Sequence, residues 1–446
     1  MAELSPALTV GSSQHESFGE FRDNGLRIEE PVQGLENVYD YELGGHHPVH
    51  IGDMLNDQYR VVDKLGVGGH ANVWLCRDML EMKPQYFAVK VLMADASINE
   101  CHELRVYHLI RQGLGKREEA EYFSLPIDRF DIHGPNGHHF ALVYPVLGPP
   151  VSKLKGLLDL ADSAKGLRML CAQVVRAMAA LHSHGVCHGD FRAVNLLIRV
   201  QGLAGLSESQ ISTLLGVPET TRLVQVATNS SCELWPPSAP KYLVKPINWE
   251  LRCGIEARLK LLTDRICVAD FGESFDVNDL PEDLEIPQEY RAPEYILDKR
   301  LGIESDLWAL GCTLFEIRTG RRLFDLPDDD PDEHLARIVQ VLGKFSEPWW
   351  STTWEARDQY FESEMDHDGR PTRLEWWATG RRDSSQPFRP RAIEEALADA
   401  TAHDPKHAIS QAETLVFADL LRRIFKYNPE KRLPAEDILD HAWFRI

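Results

Sequence analysis

From Tyr59 the chain alternates apolar and polar positions in short runs: YRVVDKL, a glycine turn, NVWLCRDM, then QYFAVKVL. Alternation rich in β-branched residues with turn punctuation predicts an antiparallel hairpin meander. Over Ser97 to Arg111 the apolar positions Ile98, Cys101, Leu104, Val106 and Ile110 take helical spacing, after an Asp and a Ser suited to capping. Strand patterning returns over about 122–147. Beyond Gly148 the chain reads as largely helical, with 163–184 the clearest amphipathic segment and a further helix over Ala412–Phe425. The order predicts an α+β, bilobal architecture, with a small β-rich lobe (about 51–147) before a larger helical one (about 148–446).

Three stretches fall outside this pattern. Residues 1–35 are polar and read as a flexible N-terminal tail ahead of a single domain over 36–446. Residues of about 200–262 mix Ser, Thr, Pro and isolated apolar positions and read as a partly ordered insertion. Residues of about 321–410 are rich in Asp, Glu, Trp and Pro and read as a second, acidic insert.

Composition narrows the function classes. The 446 residues carry 69 acidic against 48 basic side chains, a net charge of −21, which argues against direct nucleic-acid binding and favours basic partners. The eight cysteines include no Cys-x-x-Cys pair and read as reduced thiols of a cytoplasmic or nuclear protein. Neither a signal peptide nor an apolar run of membrane-spanning length is expected. His46, His47 and His50 cluster without partners at a metal-binding spacing, and nothing in the chain points to an oligomeric state.

The densest chemistry lies in His188-Gly189-Asp190-Phe191-Arg192-Ala193-Val194-Asn195 and in Asp270-Phe271-Gly272. Asp190 is placed to accept a hydroxyl proton, and Asn195 and Asp270 can share Mg²⁺ as metal ligands. Arg192 stands where a cation would face the γ-phosphate of ATP. Upstream, Leu65-Gly66-Val67-Gly68-Gly69-His70-Ala71-Asn72-Val73 fits a nucleotide loop, with Gly66, Gly68 and Gly69 letting backbone amides approach phosphate oxygens. One glycine is displaced, because Ala71 holds its usual place. A glycine-rich turn alone joins many hairpins; the lysine of Ala88-Val89-Lys90, directed at the α- and β-phosphates, gives it meaning. Lys90 needs a carboxylate, for which Glu103 is expected and Glu100, on nearly the same face, is the alternative. Tyr144 would narrow the back of an adenine pocket and Leu147 would offer its amide. Leu65, Val73, Ala88 and Leu197 would flank the ring, although each by itself reads equally as core.

Gly189 stands where, in the kinases that these motifs resemble, an arginine often pairs with a phosphorylated loop. The segment Glu273–Glu289 carries one hydroxyl, Ser274, badly placed as a switch, together with Asp276, Asp279, Glu282, Asp283, Glu285 and Glu289. Activity without loop phosphorylation is the expectation. Ala292-Pro293-Glu294, a buried helix opened by Asp306-Leu307-Trp308, and an Arg432 placed to pair with Glu294 complete the set.

Residues of about 40–446 resemble a eukaryotic protein kinase, and their details resemble the serine/arginine-rich protein kinase (SRPK) family. Gly44-Gly45-His46-His47-Pro48-Val49 with Ile51-Gly52-Asp53, the hinge Val146-Leu147-Gly148, the long interval between Asn195 and Asp270, and Glu333-His334-Leu335-Ala336-Arg337-Ile338-Val339-Gln340-Val341-Leu342-Gly343 carry this closer likeness. The resemblance implies a bilobal protein kinase fold and constitutive, ATP- and Mg²⁺-dependent phosphorylation of serines in Arg/Ser-rich proteins such as splicing factors. It also implies an acidic docking groove, here Asp325, Asp328, Asp329, Asp330, Asp332 and Glu333. Gln340 departs from the pattern where an acid is expected. The competing class is an ATP-binding pseudokinase acting as a scaffold, motivated by Gly189, Arg192 and the displaced glycine. A metabolic small-molecule kinase would lack the Ala-Pro-Glu and buried-helix motifs.

Overall fold

A computed structural model of the chain describes residues 25–29, 34–98, 101–113, 120–156, 163–225, 235–326, 329–366, 371–374, 392–401 and 408–446. Strand β1 (Leu26–Ile28) precedes a six-stranded antiparallel sheet of order β2-β3-β4-β5-β7-β6, made of Met54–Leu55, Tyr59–Val67, Ala71–Asp78, Gln85–Leu92, Gly137–Pro145 and Asp128–Gly134 respectively. Antiparallel neighbours place directly opposed residues on one face. Val73 lies opposite Lys90, Lys90 opposite Leu142, and Ala88 opposite Tyr144, so these five share a face. The other face, with Trp74, Cys76, Val89, Val91 and Val143, packs on Val49, Leu55 and Val244.

Helix α1 spans His102–Gly113, beginning later than the periodicity predicts. The reason is Ser97, whose Oγ is not a cap: it donates to Met93 O at 2.7 Å and accepts from Phe140 N at 2.9 Å. After β7 the chain runs through β8 (Leu147–Pro150) into α2 (Ser163–Ser183), then β9 (Val186–Cys187) and β10 (Leu196–Val200).

The described residues of the insertion are folded. Helix α3 (Glu208–Leu215), strands β11 (Thr220–Gln225) and β12 (Tyr242–Val244) and helix α4 (Ile255–Leu261) return the chain to β13 (Leu262–Val268), which pairs with β10. Residues 226–234 of it lie outside the described part. Strand β11 also pairs with β1, register Leu26 opposite Gln225, so the flexible tail expected to residue 35 does not hold over Leu26–Ile28. Leu26, Val38, Tyr41, Leu223, Ala239 and Leu243 bury one another in a small core of their own. Pairing with a strand some two hundred residues away supplies the burial that this polar stretch lacks locally.

Two buried ion pairs tie that unit to β3. Lys64 Nζ meets Glu36 Oε2 at 2.6 Å with both side chains almost fully enclosed, and Tyr41 Oη donates to Glu36 Oε1 at 2.7 Å. The neighbouring Asp63 accepts from Arg252 of the insertion at 2.5 Å. His46 is buried and His47 half-buried, and desolvation lowers each to about 4. Among the described residues no group of three or more His, Cys, Asp or Glu is placed to hold a metal, and no helix is long and apolar enough to cross a membrane.

The larger lobe is built on α2 and on α6 (Ile303–Thr319), with β14 (Phe275–Asp276) and α5 (Pro293–Asp298) before α6 and α7 (Pro331–Leu342) after it. Three tryptophans of the second insert are core: Trp349, Trp350 and Trp354 bury against Phe345, Tyr360 and Phe361, ahead of the hairpin β15 (Phe361–Met365) and β16 (Pro371–Arg373). Helices α8 (Ile393–Thr401), α9 (Gln411–Ile424) and α10 (Ala435–Ile438) close the lobe. Enclosed Arg318 is neutralised by Glu413, with Nε to Oε1 at 2.8 Å.

Candidate active site

The hairpin between β3 and β4 is closed by Gly68 N donating to Ala71 O at 2.8 Å. A Cβ added at Gly66 or Gly69 would meet nothing within 4 Å, so neither glycine is demanded by packing and the loop stays open to an approaching group. Lys90 sits across from Val73, behind this loop. Its ammonium pairs with Glu103 of α1 and with Asp270 Oδ1, the latter at 2.9 Å. Burial opposes the charge on Lys90, yet Asp270 and Glu103 together hold its pKa above the ordinary lysine value. The same ion pair, foremost, lowers Asp270, whose side chain is half exposed, to about 2. Glu100 lies outside the described residues; Glu103 is the carboxylate in contact.

Asp190 is buried at the turn after β9 and ringed by donors. Arg192 Nε donates to its Oδ2 at 2.9 Å, and Asn195 Nδ2 donates both to Asp190 O at 2.9 Å and to its Oδ2 at 2.8 Å. Burial raises the Asp190 pKa, against the lowering influence of Arg192, His188 and Asn195. Arg192 thus rests on Asp190 rather than extending alone. Asn195 O accepts from Ala269 N at 2.9 Å, which links the turn to the residue before Asp270. Asp270 itself has φ +63°, left-handed for a non-glycine residue, and such backbone strain concentrates at functional sites.

The turn is held from below by Asp306 of α6. Its Oδ2 accepts from His188 N at 2.6 Å and its Oδ1 from Gly189 N at 3.0 Å. Gly189 has φ +80°, and a Cβ there would fall 2.1 Å from Glu273 O. Glycine is therefore required by the backbone as well as being a missing arginine. Ser274 is buried and donates to His188 O at 2.7 Å, so its hydroxyl is spent on the turn that carries Asp190. Apolar side chains hold the following segment: Leu284 packs with Phe275 and Cys187, beside Ile286 and Leu301. Glu294 and Arg432 form a fully enclosed pair, with Nη2 to Oε2 at 2.7 Å.

The remaining residues expected at the site divide. Val73, Ala88 and Tyr144 share the Lys90 face, while Leu65 sits half-buried on the strand leading into the loop. Leu147 opens β8, which pairs with the β10 strand carrying Leu197. The acidic set is elsewhere and its members are used unequally. Asp325 and Asp329 are exposed, Asp330 Oδ1 accepts from Asp332 N at 2.9 Å as the cap of α7, and Glu333 is buried. Asp332 is engaged by Trp354 Nε1 at 2.8 Å, and Asp328 lies outside the described residues. Sequence reasoning missed two contacts: the Tyr144 hydroxyl reaches Glu103, and Arg105 of α1 pairs with Asp279. Residue type hinted at both, through a phenol beside a helix carboxylate and an acid-rich segment, but no spacing rule joins them.

The protein kinase domain family matches residues 259–444. The serine/threonine-protein kinase SRPK of Physarum polycephalum is 26% identical over 94% of this chain and 93% of its own length. The serine/threonine-protein kinase AFC3 of Arabidopsis thaliana is 25% identical over 91% of this chain and 86% of its own. The dual specificity protein kinase lkh1 of Schizosaccharomyces pombe is 26% identical over 90% of this chain and 49% of its own. Relatives of these kinds do not favour the scaffold alternative. The chain thus carries a protein kinase domain over 259–444 and is similar, over nearly its whole length, to enzymes named serine/threonine-protein kinases, SRPK among them.

Proposed function

We propose that the chain transfers the γ-phosphoryl group of ATP to serine hydroxyls in Arg/Ser-rich proteins, such as splicing factors, without activation by loop phosphorylation. The observation that carries the chemistry is the convergence of Lys90, Asp270, Asn195 and Asp190 beneath an open glycine hairpin. Lys90 would hold the α- and β-phosphates, its ammonium kept charged by two carboxylates. Hard oxygen donors suit Mg²⁺: Asp270 would offer its carboxylate, and Asn195, whose amide nitrogen is committed to Asp190, its side-chain carbonyl oxygen. Bound there, the ion would supply charge neutralisation at the phosphate oxygens.

Asp190 orients the serine hydroxyl. As Oγ bonds to the γ-phosphorus, the bond from that phosphorus to the bridging oxygen breaks, ADP leaves, and the hydroxyl proton passes to the Asp190 carboxylate. Arg192, two residues on, keeps a positive charge beside the transferring group. The work is mostly positioning and electrostatics, as is usual for this reaction.

The substrate class rests on charge. Exposed Asp325 and Asp329 lie on a chain of net charge −21, which would concentrate arginine-rich peptides with a strong salt dependence. Constitutive activity rests on a segment held by Leu284 and Phe275, with its single hydroxyl buried. The test is transfer of radiolabelled phosphate from Mg-ATP by the phosphatase-treated chain to an Arg-Ser repeat peptide and to an acidic control. Labelling of the first alone is expected; ATP binding without labelling of either would overturn the reading.

A further inference from the structure

The carboxylate that holds Lys90 is itself held. One oxygen of Glu103 pairs with Lys90, and the other accepts a hydrogen bond from Tyr144 Oη at 2.7 Å. The two donors stand on β5 and β7, adjacent strands of one sheet, and on the same face of it. Glu103 is buried, so each oxygen that loses its donor is left without water to replace it. Burial first, then the charge of Glu103, push the Tyr144 phenol well above its ordinary pKa, so the hydroxyl keeps its proton and remains a donor. Helix α1 can therefore swing from the sheet only by breaking two contacts at once, one of them independent of Lys90.

We propose that Tyr144 is a positioning residue: its hydroxyl locks α1 against the sheet through Glu103, so that Lys90 stays engaged without any modification of the segment over 273–289. This rests on the role proposed above for Lys90 and adds the device that fixes it. Arg105, two residues from Glu103, pairs with Asp279 on the far side of the helix and supplies a second, exposed attachment to that segment. Phenylalanine at 144 keeps the ring and removes only the hydroxyl, leaving one oxygen of a buried carboxylate without its donor.

The experiment compares the full chain with Tyr144→Phe by backbone hydrogen exchange and by phosphate transfer, with both repeated in a Glu103→Ala background. In Tyr144→Phe, exchange over α1 is expected to quicken roughly 5- to 30-fold, the factor for a lost buried hydrogen bond, while β5 and β7 keep wild-type rates. The kcat/KM for ATP should fall by a similar factor, and in Glu103→Ala the same substitution should add nothing to either loss. Unchanged exchange over α1, an equal rise over α1, β5 and β7, or an undiminished effect in the Glu103→Ala background would each overturn the proposal. A wild-type chain that transfers no phosphate would sink the proposed function, and the exchange comparison would still decide the lock.

Discussion

Arg192 Nε donates to Asp190 Oδ2 at 2.9 Å, so the cation of this turn lies directly on the carboxylate proposed as the base. The pairing joins two proposed roles: Arg192 stabilises the ionised form of Asp190 and keeps its own charge near the place where phosphate would arrive. Asp190→Asn should abolish phosphate transfer while ATP affinity, measured by equilibrium titration, stays within about twofold, because Lys90 and Asp270 are untouched.

The pH profile follows from the same pair. Burial raises the Asp190 pKa above its ordinary 3.8, so the acid limb of kcat/KM should lie above that value. Arg192→Gln removes a lowering influence and should move the limb further up. A raised folded-state pKa means that Asp190 favours folding below the unfolded value and loses that contribution as pH rises through the folded value. Asp190→Asn, which cannot ionise, should therefore be at least as stable as wild type near neutrality, as thermal unfolding at two pH values would check.

Gly189 cannot be returned to arginine without cost. Its φ of +80° is left-handed, and the Cβ would meet Glu273 O at 2.1 Å. Gly189→Ala should destabilise by about 1–3 kcal/mol, read from chemical denaturation. Gly189→Arg should do no better and should not confer control by phosphorylation, since Ser274 is buried.

The acidic residues of the second insert should separate into two kinds. Neutralising exposed Asp325 and Asp329 together should raise KM for long Arg-Ser peptides more than for short ones, with little change in stability. Asp330→Ala should instead cost about 1 kcal/mol of stability, because Asp330 caps α7. Equal KM effects on both peptide lengths would count against docking at these residues.

Arg432→Ala removes one partner of a pair enclosed on all sides and leaves Glu294 charged and buried. A loss of about 3–5 kcal/mol is expected in denaturant unfolding, far more than for the exposed Arg445–Asp440 pair.

What could be read from the chain was local or carried by residue type. Alternation from Tyr59 onward announced the meander because a strand exposes its burial pattern at every second residue. Lys90 announced a need for a carboxylate, and Glu103 stood on the next helix, thirteen residues on. The start of α1 lies later than the sequence suggests because Ser97, which looks like a cap, spends its hydroxyl on Met93 O and on Phe140 N of β7.

By itself the amino-acid order determined the chemistry on offer: two acids, an amide and a strand lysine in short motifs, a glycine where an arginine is common, and the alternation that builds the sheet. Only the tertiary structure decided that Leu26–Ile28 is a strand of the insertion's sheet, that Lys64 finds Glu36 and Asp63 finds Arg252, and that Tyr144 reaches Glu103. The physical reason is the same in each case. Spacing within a helix or strand is set by backbone geometry over a few residues, whereas these pairings form between separate segments, and burial selects them only once the whole chain has closed.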